Sequence, residues 1–232
     1  MTQQEQRRER IREEILEAAA AAIATRGFHG MTMRDLAKAT DRSLASFYNY
    51  FPSKEQVLFA LQVRAFENLI ARSRVLVEKA DDPAGRLYLF IANQVSYFMD
   101  HGNVMRVLVH EAATLPGPKR RRVRRLKERY FQLAAEIVAD VLAANPGAAA
   151  SDAAAIERAT YNIFGMVNWV YTWYQPKRHG APQDVIRTIH GMAMQGLQAM
   201  HLEASQLEID ALLEGLPSPV ALPLITVRKG AA

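Results

Sequence analysis

Residues 42 to 54 carry small, apolar and hydrogen-bonding side chains in an order that suits contact with double-stranded DNA. Four consecutive residues are small or apolar, namely Ser43, Leu44, Ala45 and Ser46. Their hydroxyl and methyl groups could contact base edges and thymine methyls. The flanking polar or cationic side chains suit phosphate oxygens, and they are Arg42, Tyr48, Asn49, Tyr50 and Lys54. We therefore predict modest base reading by residues 43 to 46, with the flanking residues positioning the segment on the backbone.

The surrounding sequence predicts two short helices that would hold this segment in place. Thr32, three residues before an acidic residue, has the spacing of a capping box and starts a helix over residues 33 to 39. A polar turn follows, and Ser43 then offers the N-cap of a second helix over residues 44 to 51, which Pro52 ends. Two short helices across such a turn are typical of the helix-turn-helix motif, whose second helix lies in the major groove. The alternative is an ordinary helical hairpin inside a core.

The segment SFYNYFPSKEQVL, after a capped helix and a polar turn, resembles the DNA-binding head of TetR-family transcriptional regulators. Heads of that family end in an aromatic-rich recognition helix followed by a lysine. The resemblance assigns DNA contacts to Thr32, Ser43, Ala45, Ser46, Tyr48, Tyr50 and Lys54. It also implies a homodimer that binds a palindromic DNA operator and responds to a small-molecule effector. The turn reads DRSLA where the family often has Gly or Val pairs, so the operator sequence does not carry over.

A basic run lies far along the chain from this head. Between Lys119 and Arg129 there are eight basic residues and one acidic residue. Three of its arginines recur every fourth residue and share one side of the expected helix: Arg121, Arg125 and Arg129. Such a stripe could bind ligand phosphates, could face solvent, or could be a second nucleic-acid patch. The sequence leaves these three alternatives open.

Residues 111 to 175 also look like the effector domain of TetR-family members that respond to acyl-CoA thioesters. The aromatic stretch FGMVNWVYTWYQP carries this resemblance together with the basic run. An acyl-CoA effector needs cations for its phosphates and an apolar slot for its acyl chain. The arginine stripe could supply the cations, and Phe164, Trp169 and Trp173 could form the slot. Asn168 could donate a hydrogen bond to the thioester carbonyl.

The whole chain is expected to be all-α, with a three-helix helix-turn-helix domain and a larger helical domain for ligand binding and dimerisation. Its 232 residues, half of them hydrophobic, suffice for a proper core. The expected domains are residues 1–53, residues 54–204, and a short helix with a tail over 205–232. Within them we expect a polar arm over residues 1–7, a helix capped by Ser151, a loop over 176–180 and a helix over 182–204. The resemblance to the TetR family assigns the dimer interface to the last two long helices, of which the final one carries a smooth apolar face.

Several classes of protein are disfavoured. The chain has no cysteine, no apolar run long enough for a membrane span and no signal-peptide core, which predicts a soluble cytoplasmic protein. Motifs of serine hydrolases, P-loop proteins and zinc proteases are missing, and the six histidines are scattered. We therefore expect no enzyme, cofactor or metal site. The interpretation is a ligand-responsive repressor, and the alternative is a helical acyl-ligand binding protein without operator function.

Overall fold

The computed structural model describes residues 2–111, 113–144 and 152–200, and within these residues every regular element is a helix. The helices are α1 (Gln3–Arg26), α2 (Met33–Ala39), α3 (Leu44–Tyr48), α4 (Lys54–Val77), α5 (Pro83–Asp100), α6 (Gly102–His110), α7 (Gly117–Ala143), α8 (Ala153–Trp173), α9 (Pro176–His179) and α10 (Pro182–Ala199). The all-α expectation is confirmed. No helix in the described part of the chain is both long and apolar enough to cross a membrane.

The helix starts in the head follow from local capping chemistry. Thr32 accepts a hydrogen bond from the Asp35 backbone and Asp35 accepts one from the Thr32 backbone, which closes the predicted capping box. The Thr32 hydroxyl also donates to the Asp35 carboxylate at 2.7 Å, and this hydrogen bond and the one from the Thr32 backbone lower the pKa of the Asp35 carboxyl, because they stabilise its ionised form. Ser43 caps α3 in the same way by accepting from the Ser46 backbone. The predicted bounds of α2 are therefore confirmed.

Four local expectations are corrected by the structure. Residues 3 to 7 belong to α1, because Thr2 and Glu5 form a capping box that starts the helix there. Helix α3 ends at Tyr48, where a helix to residue 51 was expected, and residues 49 and 50 continue it as a turn before Pro52. Asp152, rather than Ser151, caps α8. Residues 176–179 form the short α9, and the helix expected from Ser205 lies outside the described residues.

The described residues form two hydrophobic cores. The head core joins α1, α2 and α3 to the first half of α4, with Ile15, Leu36, Phe47 and Phe51 fully buried. It also includes Val107, Leu115 and Val123, which come from much later in the chain. The body core is formed by the second half of α4 with α5, α7, α8 and α10. Helix α6 contributes to both cores, since Val107 packs in the head and Met105 packs in the body.

Candidate DNA-binding head and ligand cavity

The recognition helix presents its predicted base-reading residues at the surface. Ser43 and Ala45 are exposed, whereas Leu44 and Ser46 are half-buried. Phe47 is fully buried in the head core and therefore fixes which side of α3 faces outward. A five-residue helix has no stability of its own, so this packing and the Ser43 cap hold it in place.

A shallow groove borders the outward side of α3. It is lined by residues from the start of α2, from α3 and from the start of α4, including Thr32, Arg34, Tyr48 and Lys54. Tyr48 is 47% exposed, and Asn49 is exposed beside it. The structure thus brings most of the predicted phosphate-contacting side chains to one surface. Arg34 was missed by the sequence reasoning, although a basic residue in the first turn of the capped α2 was a usable signal.

Lys54 is tied to the head itself. Its Nζ donates hydrogen bonds to the backbone oxygens of Phe28, at 3.3 Å, and of Met31, at 3.1 Å. The ammonium also lies 4.7 Å from the centre of the Phe28 ring, within the range of a cation–π interaction. Lys54 therefore holds the α1–α2 connection against α4, and one of its three protons is left for an outside partner.

Arg42, in the turn before α3, is likewise engaged inside the head. Its guanidinium pairs with Glu14 of α1 at 3.2 Å and lies 5.7 Å from the centre of the Tyr50 ring. Tyr50 is half-buried under it. These contacts attach the turn to α1, so the structure gives Arg42 and Tyr50 a positioning task within the head.

The body contains a cavity of about 280 Å³ between α4, α5, α6, α7 and α8. Most of its walls are apolar or aromatic. The lining residues are Phe66, Leu69, Gln94, Phe98, Met105, Leu108, Val109, Lys127, Tyr130, Phe131, Tyr161, Phe164, Asn168 and Trp169. Three predicted effector residues, Phe164, Asn168 and Trp169, thus line one space. Such a concave apolar site with a few polar groups is typical of small-molecule binding.

A chain of hydrogen bonds crosses the cavity wall. The Tyr130 hydroxyl donates to Gln94 Oε1 at 2.8 Å, and Gln94 Nε2 donates to Asn168 Oδ1 at 2.7 Å. Burial raises the pKa of the Tyr130 phenol, so Tyr130 stays a neutral donor. The donations fix both amide orientations and leave the Asn168 amide nitrogen as a donor toward a ligand. Gln94 was missed, yet a glutamine among the apolar residues that face inward on α5 was a visible signal.

The cationic group in the cavity lining is Lys127, and the predicted arginine stripe lies elsewhere. Val123, Leu126 and Tyr130 turn one side of α7 into the core. By the same helical period, the stripe of Arg121, Arg125 and Arg129 faces the opposite side, where all three are exposed. Arg120 and Arg124 share the side of Lys127, because they precede it by seven and three residues.

A second apolar surface, which we call the α8–α10 face, covers the outside of these two helices. A broad depression on it is lined by residues that include Gly165, Met166, Trp173, Ile189 and Met192. Trp169, which is 60% exposed, borders both this face and the cavity. Trp173, predicted for the ligand slot, lies on the face and does not line the cavity.

Helix α6 connects the cavity to the head at its C-terminal end. Leu108 and Val109 line the cavity, and His110 Nε2 lies 3.1 Å from the Tyr171 hydroxyl of α8. The next residue, Glu111, accepts a hydrogen bond at 2.9 Å from the Phe28 backbone of the head. Its own carbonyl accepts from Gln62 of α4 at 3.0 Å. His110 is therefore attached to the body, and the next residue, Glu111, is attached to the head.

Comparison with known proteins finds family matches for both the head and the body. Residues 15–61 match the family model of bacterial regulatory proteins of the tetR family, and residues 80–197 match a tetracyclin repressor-like C-terminal domain. The HTH-type transcriptional repressor KstR2 of Mycobacterium tuberculosis is 36% identical over 95 residues, which are 40% of this chain and 48% of that protein. The repressor KstR of Rhodococcus jostii is 34% identical over 63 residues, or 27% of this chain and 30% of that protein. The chain thus spans about half or less of the length of these curated relatives.

Solved structures agree on the fold. The crystal structure of AibR in complex with isovaleryl coenzyme A and operator DNA has a TM-score of 0.68 at 24% identity, covering 78% of this chain and 97% of that one. KstR2 of Mycobacterium tuberculosis has a TM-score of 0.71 at 22% identity, covering 80% and 93%. One family model covers just over half of the 232 residues and another covers the head. The chain therefore belongs to the TetR family of bacterial regulators.

Proposed function

We propose that the chain is a ligand-responsive transcriptional repressor that binds a palindromic operator as a homodimer. The observation that carries the proposal is the combination of an exposed recognition helix and a ligand-sized cavity joined by α6. The relatives named KstR2 and KstR are repressors, which supports the same role. Such a protein acts in the cytoplasm, where bacterial DNA lies.

In this proposal Ser43, Leu44, Ala45 and Ser46 meet base edges, and the hydroxyls and cations around them meet phosphates. The residues proposed to contact phosphates are Thr32, Tyr48 and Asn49, together with the remaining proton of Lys54. Arg42 and Tyr50, also predicted from the sequence, position the turn within the head. The small side chains on α3 supply few hydrogen bonds to bases, so selectivity per base pair is modest. A two-fold dimer places its recognition helices about 34 to 36 Å apart, one duplex turn, and a bound dimer blocks transcription.

Dimerisation is assigned to the α8–α10 face. Its exposed side chains include Trp173 and Met192, and Gly165 has open space around the position of an added Cβ. Apolar surface of this kind on two adjacent helices favours burial against a second copy, since the hydrophobic gain scales with the area removed from water. A self-complementary helix pair gives a symmetric four-helix interface.

Release by the effector is a population shift. The ligand must bind more tightly to the dimer whose heads are wrongly spaced than to the operator-bound dimer, since equal affinity for both would shift nothing. The cavity and the head share α6, which gives the ligand a route to the head. Movement of Leu108 or Val109 would carry His110 and Glu111 with it.

The proposed effector is an amphipathic acyl compound, with an acyl-CoA thioester as the candidate. Aromatic walls suit an acyl chain, and the Asn168 amide suits a thioester carbonyl. A cavity of about 280 Å³ holds a short acyl group, so the nucleotide part would extend outside. Lys127 lines the cavity and is exposed, and Arg120 and Arg124 lie on the same side of α7, so these cations suit its phosphates, although Arg124 also pairs with Glu128 at 3.0 Å. The AibR neighbour is described with isovaleryl coenzyme A.

A gel-shift assay with the DNA upstream of the chain's own gene tests the role. We expect a discrete complex at nanomolar protein, competed poorly by random duplex, and loss of that complex when a short-chain acyl-CoA is added. Ligand binding without any specific complex would instead indicate the alternative, an acyl-ligand binding protein without operator function.

Two α7 variants test where the phosphates bind. Lys127→Ala is expected to weaken acyl-CoA binding in calorimetry, while Arg125→Ala, which removes the same charge from the solvent side, leaves it nearly unchanged. The reverse result would assign the phosphates to the stripe of Arg121, Arg125 and Arg129. A loss of operator affinity in Arg125→Ala would make that stripe a second DNA site.

A further inference from the structure

The N-terminal turns of α1, which we call the projection, lie at the edge of the head core. Helix α1 begins at Gln3, its first buried residue is Ile15, and between them Ile11 packs against the core. Residues 3 to 8 are all exposed and span about 9 Å at 1.5 Å per residue. The capping box between Thr2 and Glu5 anchors the start of α1, so the projection is an ordered part of the helix.

This projection lies directly beside the recognition helix. The Arg8 guanidinium donates to the Asn49 carbonyl at 3.5 Å, and the Arg12 guanidinium donates to the Tyr50 carbonyl at 3.4 Å. Arg12 also lies 4.7 Å from the centre of the Phe51 ring. The carbonyls of the turn that follows α3 are thus bound by α1, which fixes the projection next to the surface that the proposed function places against DNA.

Most of the acidic groups on the projection are already neutralised. Glu9 and Glu13 pair with Arg64 of α4, and Glu14 pairs with Arg42 of the turn. Each of these ion pairs joins α1 to another element of the head. These carboxylates therefore mainly cancel charges inside the head, although Glu14 also contacts Arg10 at 3.7 Å.

Arg7, Arg8 and Arg10 are all exposed, and Arg8 is held by the Asn49 carbonyl, which leaves Arg7 and Arg10 as the cations directed away from α3. Arg7 has no ion pair among the described residues, and Arg10 has a 3.7 Å contact with Glu14, which Arg42 holds more closely. Arg7, Arg10 and Glu14 recur at spacings of three and four, so they share one side of α1. Because Glu14 meets Arg42 there, that side faces the helix-turn-helix turn.

We propose that Arg7 and Arg10 bind backbone phosphates of duplex DNA flanking the groove that α3 occupies. This inference rests on the proposed function and extends its footprint beyond the helix-turn-helix unit. Guanidinium groups match phosphate geometry, and such contacts carry no sequence information. The projection therefore adds affinity that is equal for operator and random duplex.

The salt dependence of DNA binding tests the proposal. The full-length double variant Arg7→Gln with Arg10→Gln is titrated with operator and random duplex at several salt concentrations. Each lost phosphate contact reduces the magnitude of the negative slope of log K against log salt by about 0.9. A dimer that loses two contacts per subunit therefore loses up to about 3.6 from that magnitude. We expect this decrease on both duplexes, with an unchanged circular dichroism spectrum.

Two further variants serve as controls. Arg7→Lys with Arg10→Lys keeps the charge and should retain most of the slope. Arg72→Gln with Arg74→Gln removes the same charge from exposed positions on the body part of α4 and should leave the slope unchanged. An unaltered slope in the Arg7 and Arg10 glutamine variant, or an equal decrease in the α4 control, overturns the inference. If the unmodified chain binds no DNA, the proposed function fails and the inference falls with it.

Discussion

Tyr48 and Lys54 were assigned the same contact from sequence, but their surroundings differ. The Tyr48 side chain is 47% exposed and lines the groove beside α3. The Lys54 ammonium is half-buried and donates to two backbone carbonyls of the head. The first residue is therefore accessible to DNA as it stands, while the second contributes to the shape of the surface that we propose contacts DNA.

Replacing Tyr48 by Phe removes one hydroxyl and little else. We expect binding to operator and to random duplex to weaken by the same factor, about 2- to 10-fold per subunit, as expected for a net hydrogen bond of about 0.5–1.5 kcal/mol. Fluorescence anisotropy measures both affinities. Tyr161→Phe, at a similarly exposed tyrosine of the body, is the control. A loss confined to the operator would mean that Tyr48 reads a base.

Replacing Lys54 by Met removes the ammonium that donates hydrogen bonds to two partly buried backbone carbonyls, and it keeps an unbranched apolar side chain. Each unsatisfied group costs about 1–3 kcal/mol, so we expect a lower free energy of unfolding in urea titrations. Lys38→Met, on the exposed side of α2, should change little. Unchanged stability with weaker DNA binding would instead make Lys54 a phosphate contact alone.

At the scale of helices, local signals were readable from sequence and orientations were not. The capping box at Thr32 fixed the start of α2 because both partners lie within one turn. The side of α7 that faces the cavity depends on which helices pack against α7. The regular arginine stripe was therefore predicted to bind the ligand, whereas the structure places Lys127 in the cavity lining. The hydrogen bond between Gln94 and Asn168 joins residues 74 apart, which no local pattern reveals.

The end of α6 is the element that the proposed switch requires. Glu111 Oε1 accepts from the Phe28 backbone, its Oε2 accepts from Thr114 at 2.6 Å, and the preceding residue contacts α8. These bonds attach the α1–α2 connection to the segment that lines the cavity. A ligand that moves α6 would therefore move or release the head.

Glu111→Ala should uncouple the two sites. We expect the ratio of operator affinities without and with effector to fall several-fold, because the head no longer follows α6. Linkage requires the operator's effect on effector affinity to fall by the same factor, which calorimetry with and without DNA checks. Glu111→Gln keeps an acceptor for the Phe28 N–H and should retain most of the coupling. Full coupling in Glu111→Ala would exclude this contact as the route.

At the scale of the whole molecule, cavity and proposed interface share a side chain. Trp169 borders the ligand space on one side and the α8–α10 face on the other. A ligand against its ring would act on the subunit contact as well as on α6. Effector binding would then change the spacing of the two heads through the interface. In the proposed function, operator binding depends on that spacing.

Met192→Glu tests whether the α8–α10 face joins the subunits. Met192 is 61% exposed on α10, and a carboxylate there would be buried without a partner in a symmetric interface, which opposes association. Sedimentation velocity should show a monomer, and operator affinity should fall toward that of a single head because the second head is no longer tethered. Val75, on α4, is also 61% exposed, so Val75→Glu introduces the same group at matched exposure and should stay dimeric. If the Val75 variant dissociates and the Met192 variant does not, the subunits join through α4, and Trp169 no longer links the ligand to the spacing of the heads.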